Sequence, residues 1–191
     1  GADLLVDTDA AAAEGFATMI RKYVNPRLAK YTDLTAATGC VGVYGVNAAA
    51  TVARALGVDP APLDALAPLG GTWCGEGDDA VYVVRSTDLS PAGFDLIGAR
   101  ARIATVRAAL IASWPAPADA DSVTIARLDA GVPEWGREMD AETIPQEANL
   151  EALGAISFTK GCYTGQEVVA RIHFRGHVNR HLRRLTAQHA I

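Results

Sequence analysis

The chain has few cysteines and no long apolar run, and each of these features excludes a class of protein. Its three cysteines, Cys40, Cys74 and Cys162, lie far apart and form no CxxC pair. This odd, scattered set excludes a disulfide framework and favours a reducing compartment. No stretch approaches the roughly 20 apolar residues of a membrane span, and residues 1–15 lack the basic start and apolar centre of a signal peptide. We therefore expect a cytoplasmic protein with no membrane contact.

The composition is that of a folded chain with an uneven charge distribution. Of its 191 residues, 50% are hydrophobic and 20% are charged, so one or two domains with a real core are expected. The net charge is −5, yet residues 160–184 hold six basic residues against one acidic residue, hence +5. Such a segment predicts an anionic partner, namely a phosphate, the glutamate tail of a folate, or nucleic acid. The alternative is a solvated strand whose arginines pair with acidic residues elsewhere.

Hydrophobic periodicity predicts interleaved strands and helices. Helices are predicted over 9–23, over 47–56, and over a third segment that includes Ile103 and Trp114. Thr8 or Asp9 is the expected cap of the first helix. The predicted strands are 3–6, 41–45, 80–85, 94–97, 122–128 and 155–158, with a loop over 58–79. Pro115, Pro117 and three acidic or small residues are predicted to form a linker. There is no glycine-rich phosphate loop. The fold class expected from this order is α+β.

The octapeptide KGCYTGQE, residues 160–167, carries the strongest chemical signal. It places Cys162 between Gly161 and Gly165, at a position where glycines allow a tight turn. Lys160, with Arg171 and Arg175 a little further on, would supply a positive field that favours the reactive thiolate. The competing interpretation is a buried, inert cysteine in a turn.

Three histidines, His173, His177 and His181, are spaced by four residues. Apolar residues at 172, 174 and 178 alternate with polar ones as in a strand. Four residues of strand span about 13 Å, too far for one ion with ligands at about 2 Å. We therefore predict no metal site here.

Three segments together resemble a known family. They are RLDAGVPEWGREMD from Arg127, IPQEANLEALGAISF from Ile144, and KGCYTGQE followed by VARIHFRG. In this order they resemble the YgfZ family of folate-binding proteins, relatives of the glycine-cleavage T-protein (aminomethyltransferase). The resemblance implies an aminomethyltransferase folate-binding-like fold with ferredoxin-like α/β layers. It also implies a central folate-binding region over 1–165, in lobes 1–35 with 125–165 and 36–124, and a basic connection over 166–191 toward a C-terminal β-barrel absent from this sequence.

The resemblance also implies a site for tetrahydrofolate. Asp129 matches a family glutamate associated with the pterin ring, and is one methylene shorter. Arg127 would lie on the same face of a strand and orient this carboxylate, although a surface Arg–Asp pair is the alternative. Trp135 is a further candidate for stacking on the pterin. The predicted cofactor-binding residues are Arg127, Asp129, Tyr163, Gln166, Arg171 and Arg175, and the predicted catalytic residues are Cys162, Lys160 and Glu167.

Three functions follow as hypotheses. The first, implied by the resemblance, is a folate-binding role in assembly or maintenance of iron–sulfur enzymes, with an indirect effect on tRNA modification. In it Cys162 is the key thiol, and iron–sulfur enzymes or assembly proteins are the partners. The second is a folate-dependent aminomethyl- or methyltransferase, although the T-protein's catalytic aspartate lies upstream of the matching part. The third is an RNA- or protein-binding module that uses the basic segment 171–184.

Overall fold

The computed structural model describes residues 4–113 and 117–186. The chain divides into two compact units. The central unit is Tyr31–Val132, and the discontinuous unit combines Gly1–Lys30 with Pro133–Ile191. The lobe bounds expected from the sequence stay predictions.

Six α-helices, four strands and a short 3-10 helix at Gly77–Asp79 make up the regular structure of the described residues. The helices are α1 (Ala13–Tyr23), α2 (Ala48–Leu56), α3 (Ala61–Asp64), α4 (Arg100–Ser113), α5 (Ala120–Ala130) and α6 (Gln166–Arg175). The strands are β1 (Thr38–Tyr44), β2 (Gly71–Cys74), β3 (Val81–Ser86) and β4 (Gly93–Ala99). All four strands, together with α2 to α5, lie in the central unit.

The strands form one antiparallel sheet in the order β1-β4-β3-β2. Leu96 of β4 lies opposite Val41 on one side and Val83 on the other. Residues that lie directly opposite each other on neighbouring strands have their side chains on the same face of the sheet. Leu96, Val41 and Val83 therefore share one face. Helices α2 and α4 contact the sheet and each other. The buried cluster between them consists of Ala48, Ala49, Val52, Ala53, Leu63, Val81, Val83, Phe94, Leu96, Ile103, Val106 and Leu110.

Much of this unit agrees with the sequence patterns. The strands predicted at 41–45, 80–85 and 94–97 are confirmed as β1, β3 and β4. The helices predicted over 47–56 and from Ile103 are confirmed as α2 and α4, whose apolar side buries Ile103, Val106 and Leu110. Ile111 remains 38% exposed. Trp114 and the first part of the predicted linker lie outside the described residues.

Two predictions for the central unit were wrong. Residues 122–128 form part of helix α5 instead of a strand. Asp119 caps this helix by accepting a hydrogen bond from the Ser122 backbone N–H at 2.7 Å, and Gly131 ends it in the left-handed conformation with φ 73°. The predicted loop over 58–79 also contains α3 and the edge strand β2. The hydroxyl end of the Tyr82 side chain of β3 lies against Gly71, so a Cβ there would force that side chain to move.

The α+β class is confirmed by the helices that cover this antiparallel sheet. The order of elements is β-α-α-β-β-β-α before α5. A loop joins β3 to β4, where the ferredoxin-like pattern has its second helix, and α4 follows the last strand instead. The specific aminomethyltransferase-like fold stays a prediction.

The discontinuous unit contains α1 and α6, with turns and irregular backbone over 133–165. The predicted first helix is confirmed as α1, but it begins at Ala13 and has no buried residue. The strands predicted at 155–158 and at 3–6 were wrong for the described residues, which have no regular structure there. The strand pattern at 172–178 was also misleading, because α6 continues through Arg175. Its apolar anchors are Val169, and Val178 beyond the helix end, both buried.

In the two described ranges, no helix combines the length and the apolar character needed to cross a membrane.

Candidate functional site

The octapeptide forms a closed turn that leads into α6. Gly165 adopts the left-handed conformation with φ 84° at the start of the helix, where a residue with a Cβ would be strained. The Gln166 backbone N–H donates to the Tyr163 carbonyl at 3.2 Å. In return, the Tyr163 N–H donates to the Gln166 side-chain oxygen Oε1 at 3.3 Å. This reciprocal pair fixes the backbone directly after Cys162, so Gln166 holds the loop.

The Cys162 side chain is exposed and forms no disulfide. The burial assumed in the alternative interpretation was therefore wrong, and the reactivity of Cys162 stays a prediction. Cys40 is also exposed, whereas Cys74 is partly buried and its burial raises the pKa of that thiol. Since the thiolate is the reactive form and requires access, Cys74 is the least suited of the three to react.

Lys160 and Tyr163 contact each other beside the cysteine. The Lys160 Nζ lies 4.9 Å from the centroid of the Tyr163 ring, a cation–π arrangement. The Lys160 backbone N–H donates to the Ser157 hydroxyl at 3.2 Å. The Tyr163 hydroxyl oxygen is buried and has no hydrogen-bond partner within the described part of the chain. The hydrogen-bonding capacity of this hydroxyl is therefore not used by the described residues, and the oxygen is sealed from solvent.

Three further predicted residues lie along one exposed face of α6. Glu167 is in the first turn and Arg175 in the last, and Arg171 lies halfway between them. Their spacing of four residues places them on the same side of the helix. All three side chains are exposed. The structure thus aligns one predicted catalytic residue with two predicted cofactor-binding residues.

Arg127 and Asp129 lie on α5 in the central unit. On this helix they do not lie on the same face, whereas in a strand they would. Residues two apart on a helix point about 200° apart. Arg127 instead closes the end of its own helix, since its Nη1 donates to the Val132 carbonyl at 2.7 Å. Asp129 is exposed. The strand geometry expected for Arg127 and Asp129 was wrong, and the orienting role of Arg127 stays a prediction.

A cavity of about 900 Å³ lies beside α5 in the central unit. Its lining is mostly apolar and includes residues of β1, α4, α5 and the start of α2. Ser122 and Ala126 line it from α5, and Asp129 is placed on the same helical face, one turn further along. The sequence patterns did not reveal this cavity, because its walls come from segments that are distant in the chain.

Tyr44 is one of the polar residues that line this cavity. Its hydroxyl lies 2.8 Å from the Ser86 hydroxyl and 2.9 Å from each Asp95 carboxylate oxygen. Burial is the main cause that raises the pKa of Tyr44, and the negative charge of Asp95 adds to it. The phenol is therefore neutral and donates toward the carboxylate. Sequence reasoning missed this residue, and only the β1–β4 pairing brings it to Asp95.

The three histidines singled out in the sequence all line a second cavity, of about 480 Å³, in the discontinuous unit. His173 is on α6, whereas His177 and His181 follow the helix end. The described residues include no group of three or more His, Cys, Asp and Glu side chains placed to hold a metal ion.

The sequence resemblance to the YgfZ-like family is confirmed by comparison with known proteins. Over 49 residues, 26% of this chain, the sequence is 59% identical to the tRNA-modifying protein YgfZ of Hamiltonella defensa subsp. Acyrthosiphon pisum (strain 5AT). The match spans 15% of that relative's length. No family model matches the chain.

Proposed function

We propose that this chain is part of a YgfZ-like, folate-binding protein that supports iron–sulfur enzymes and thereby tRNA modification, with Cys162 as its reactive thiol. The observation that carries the proposal is the exposed cysteine in a closed glycine turn at the start of α6. The 59% identity to a tRNA-modifying protein over 49 residues supports it. The cytoplasmic location predicted from the sequence belongs to this proposal.

The turn is suited to presenting a thiol to a partner. The exchange of hydrogen bonds between Tyr163 and Gln166 fixes the backbone that follows the cysteine. Lys160 and the N-terminus of α6 flank Cys162 in the chain, and both are features that favour a thiolate where they lie close to the sulfur. An accessible thiolate on a rigid turn can attack an electrophilic sulfur or carbon, or bind a soft metal ion delivered as cargo.

The cavity of the central unit supports the folate part of the proposal. Its volume of about 900 Å³ falls within the range of roughly 300–1,000 Å³ that is usual for small-molecule sites. Its apolar walls suit a pterin ring. The hydrogen-bonded Tyr44 and the Asp129 carboxylate further along α5 suit the polar edge of that ring. Tyr163, Gln166, Arg171 and Arg175 belong to the discontinuous unit; they stay folate-binding predictions of the family resemblance and are not assigned to this cavity.

The thiol role is tested by replacing Cys162 with Ser in cells that depend on this protein. We expect a loss of iron–sulfur enzyme activity and of tRNA thiomodification, with unchanged protein abundance. Cys40→Ser is the matched control, because Cys40 is also an exposed cysteine outside any disulfide. Equal activity of the two variants would contradict the role of Cys162.

The folate role is tested separately by calorimetric titration of tetrahydrofolate into the purified protein. Asp129→Ala is expected to weaken binding by about tenfold, the effect of one lost charge-assisted hydrogen bond. Asp121→Ala is the control, because Asp121 is an exposed carboxylate in the first turn of the same helix. Binding that is equally strong in both variants would remove Asp129 from the site.

A further inference from the structure

The outer edge of strand β1 borders the cavity of the central unit. β1 lies at the edge of the sheet, where it pairs with β4 alone. Side chains alternate between the two faces of a strand, so a cavity that contacts consecutive strand residues lies along the strand's edge. The lining of the cavity of about 900 Å³ contains all of residues 41–44 of β1. The backbone of this edge is therefore part of the cavity wall.

The hydrogen bonds of β1 identify the backbone groups that point outward. The Gly45 N–H donates at 3.3 Å to a carbonyl just before β4, and the Ala37 carbonyl accepts at 2.8 Å from the first N–H of α4, just after β4. Residues of an antiparallel strand alternate between bonding to the partner strand and facing away from it. The odd-numbered residues of β1 therefore bond to β4, and the even-numbered ones face outward. At the cavity these outward residues are Gly42 and Tyr44.

Three outward groups follow one another along this edge, namely the Gly42 carbonyl, the Tyr44 N–H and the Tyr44 carbonyl. Among the described residues, no hydrogen-bond partner is found for any of the three. Gly42 is exposed and has no side chain, so its backbone itself contacts the cavity. The edge thus presents an acceptor, a donor and an acceptor in a row. Charged residues and proline, which commonly protect edge strands from further pairing, are absent from β1.

The complementary ligand is a flat ring with a donor, an acceptor and a donor along one side. A reduced pterin has such a side: its 2-amino group donates, N1 accepts and N8–H donates. In a fully oxidised pterin N8 carries a lone pair and no hydrogen, so it would set an acceptor against the Tyr44 carbonyl. Two unpaired acceptors that face each other away from water are costly. The apolar lining residues Leu110 and Val123 suit the faces of the ring.

We infer that the backbone of Gly42 and Tyr44 binds the pterin along its N1 side and thereby selects pterins that carry a hydrogen on N8. The inference rests on the proposed function for the identity of the ligand, and it adds the strand edge that recognises it. The N3–H side of the ring is left for the Asp129 carboxylate, so the two assignments concern different sides of the pterin. The inference does not depend on Cys162.

Three ligands test the selection at N8. Tetrahydrofolate and 7,8-dihydrofolate both carry N8–H, whereas folic acid does not, and dihydrofolate separates N8 from the changes at N5 and C6. Calorimetric titration of the full chain is expected to show that the two reduced folates bind similarly and folic acid at least about tenfold more weakly. Folic acid that binds as tightly as dihydrofolate overturns the inference, and so does dihydrofolate that binds as weakly as folic acid.

The same titrations separate this inference from the proposed function. Equal binding of all three folates leaves the folate role intact and overturns only the recognition by the β1 edge. Absence of binding by all three contradicts the folate role itself, and the inference with it.

Proline removes the backbone donor of the edge. Tyr44→Pro and Tyr44→Ala both lose the phenol, but only proline lacks the N–H. Proline is tolerated on an edge strand where its nitrogen faces away from the sheet. Tetrahydrofolate is therefore expected to bind Tyr44→Pro about tenfold more weakly than Tyr44→Ala, with circular dichroism confirming that both variants fold. Equal affinities of the two variants overturn the inference.

A further pair of variants locates the ligand. Ala126→Trp places a large side chain in the cavity lining and is expected to abolish tetrahydrofolate binding. Ile125→Trp is its control, because Ile125 is 61% exposed and lies outside the lining, so binding is retained. Should Tyr44→Pro not fold, this pair and the three ligands still decide the outcome. Tetrahydrofolate binding that survives Ala126→Trp lies outside this cavity and contradicts the assignment.

Discussion

The Tyr44 hydroxyl on β1 makes hydrogen bonds to residues of two other strands, so removing it tests what these bonds contribute to the stability of the fold. Replacing Tyr44 with Phe keeps the ring but removes the hydrogen bonds to Asp95 and Ser86. A hydrogen bond to a charged group contributes about 1.5–3 kcal/mol, and a neutral one about 1. Because Tyr44 is only partly buried and Asp95 retains access to water, we expect the variant to lose about 2 kcal/mol of unfolding free energy. Urea denaturation followed by tryptophan fluorescence measures this loss.

The same variant also tests the protonation state of the phenol. The pKa of Tyr44 is raised in the folded protein above its ordinary value of 10.0. The folded state therefore keeps a proton that the unfolded state loses, so this contribution to stability is complete below the unfolded pKa and declines as pH rises above it. The decline is at most about 1.4 kcal/mol per pH unit, and solvent screening reduces it. Tyr44→Phe is expected to lack this part of the alkaline loss, whereas Tyr31→Phe, at an exposed position, retains it. An identical loss of unfolding free energy with rising pH in wild type and both variants would contradict the raised pKa of Tyr44.

Two other predictions concern the central unit. Leu96→Ala, at a fully buried position of β4, is expected to lower the free energy of unfolding by about 2–5 kcal/mol in urea denaturation. Val46→Ala, at a 90% exposed position, is its control, and equal losses would contradict the proposed core. Asp119→Ala removes the cap of α5 and is expected to speed hydrogen exchange at the Ser122 amide. The hydrogen bond from Ser122 lowers the pKa of Asp119 in the folded protein. The stabilising effect of the cap is therefore complete above the pKa that Asp119 has in the unfolded chain, and it is lost as the pH falls through the lowered pKa of the folded state. Exchange at Ser122 should therefore converge between wild type and variant in acid, and a difference that persists there would contradict the cap.

The central sheet was predictable because its strands carry strong signals. Val81 and Val83 alternate with outward residues, and the apolar side of α4 repeats at helical spacing, so burial and periodicity agree. Strand β2 escaped prediction because Gly71 reads as a loop residue. The space beside Gly71 is occupied by the Tyr82 side chain of the neighbouring strand, a tertiary contact that the local sequence does not reveal.

Helices α5 and α6 were mistaken for strands for a shared physical reason. Each has an apolar pattern with short alternations, and several of these side chains remain exposed in the structure, among them Ile125 at 61% and Phe174 at 69%. Hydrophobic spacing therefore did not report which face was buried. The residues that mark the two ends of α5 were present in the sequence, namely the N-cap Asp119 before the helix and Gly131 after it. Giving these capping residues more weight than the alternation of apolar residues predicts a helix here instead of a strand.

The candidate sites were predictable only in part. The glycine turn around Cys162 followed from the octapeptide, because glycine and glutamine determine its local geometry. The cavity residue Tyr44 was missed. It acquires its role from a hydrogen bond to Ser86, a residue 42 positions away in the chain. Local sequence patterns carry no record of such a pair.

The central claim is that Cys162 is a selectively reactive thiol, and competitive alkylation measures this most directly. The native protein is treated with limiting iodoacetamide at neutral pH, and modification of Cys40, Cys74 and Cys162 is followed over time by peptide mass spectrometry. We expect Cys162 to be modified at least several-fold faster than Cys40, although both are exposed, and Cys74 to be modified most slowly. Equal rates at Cys162 and Cys40 would show that exposure alone governs both, and would contradict the proposed role of the turn.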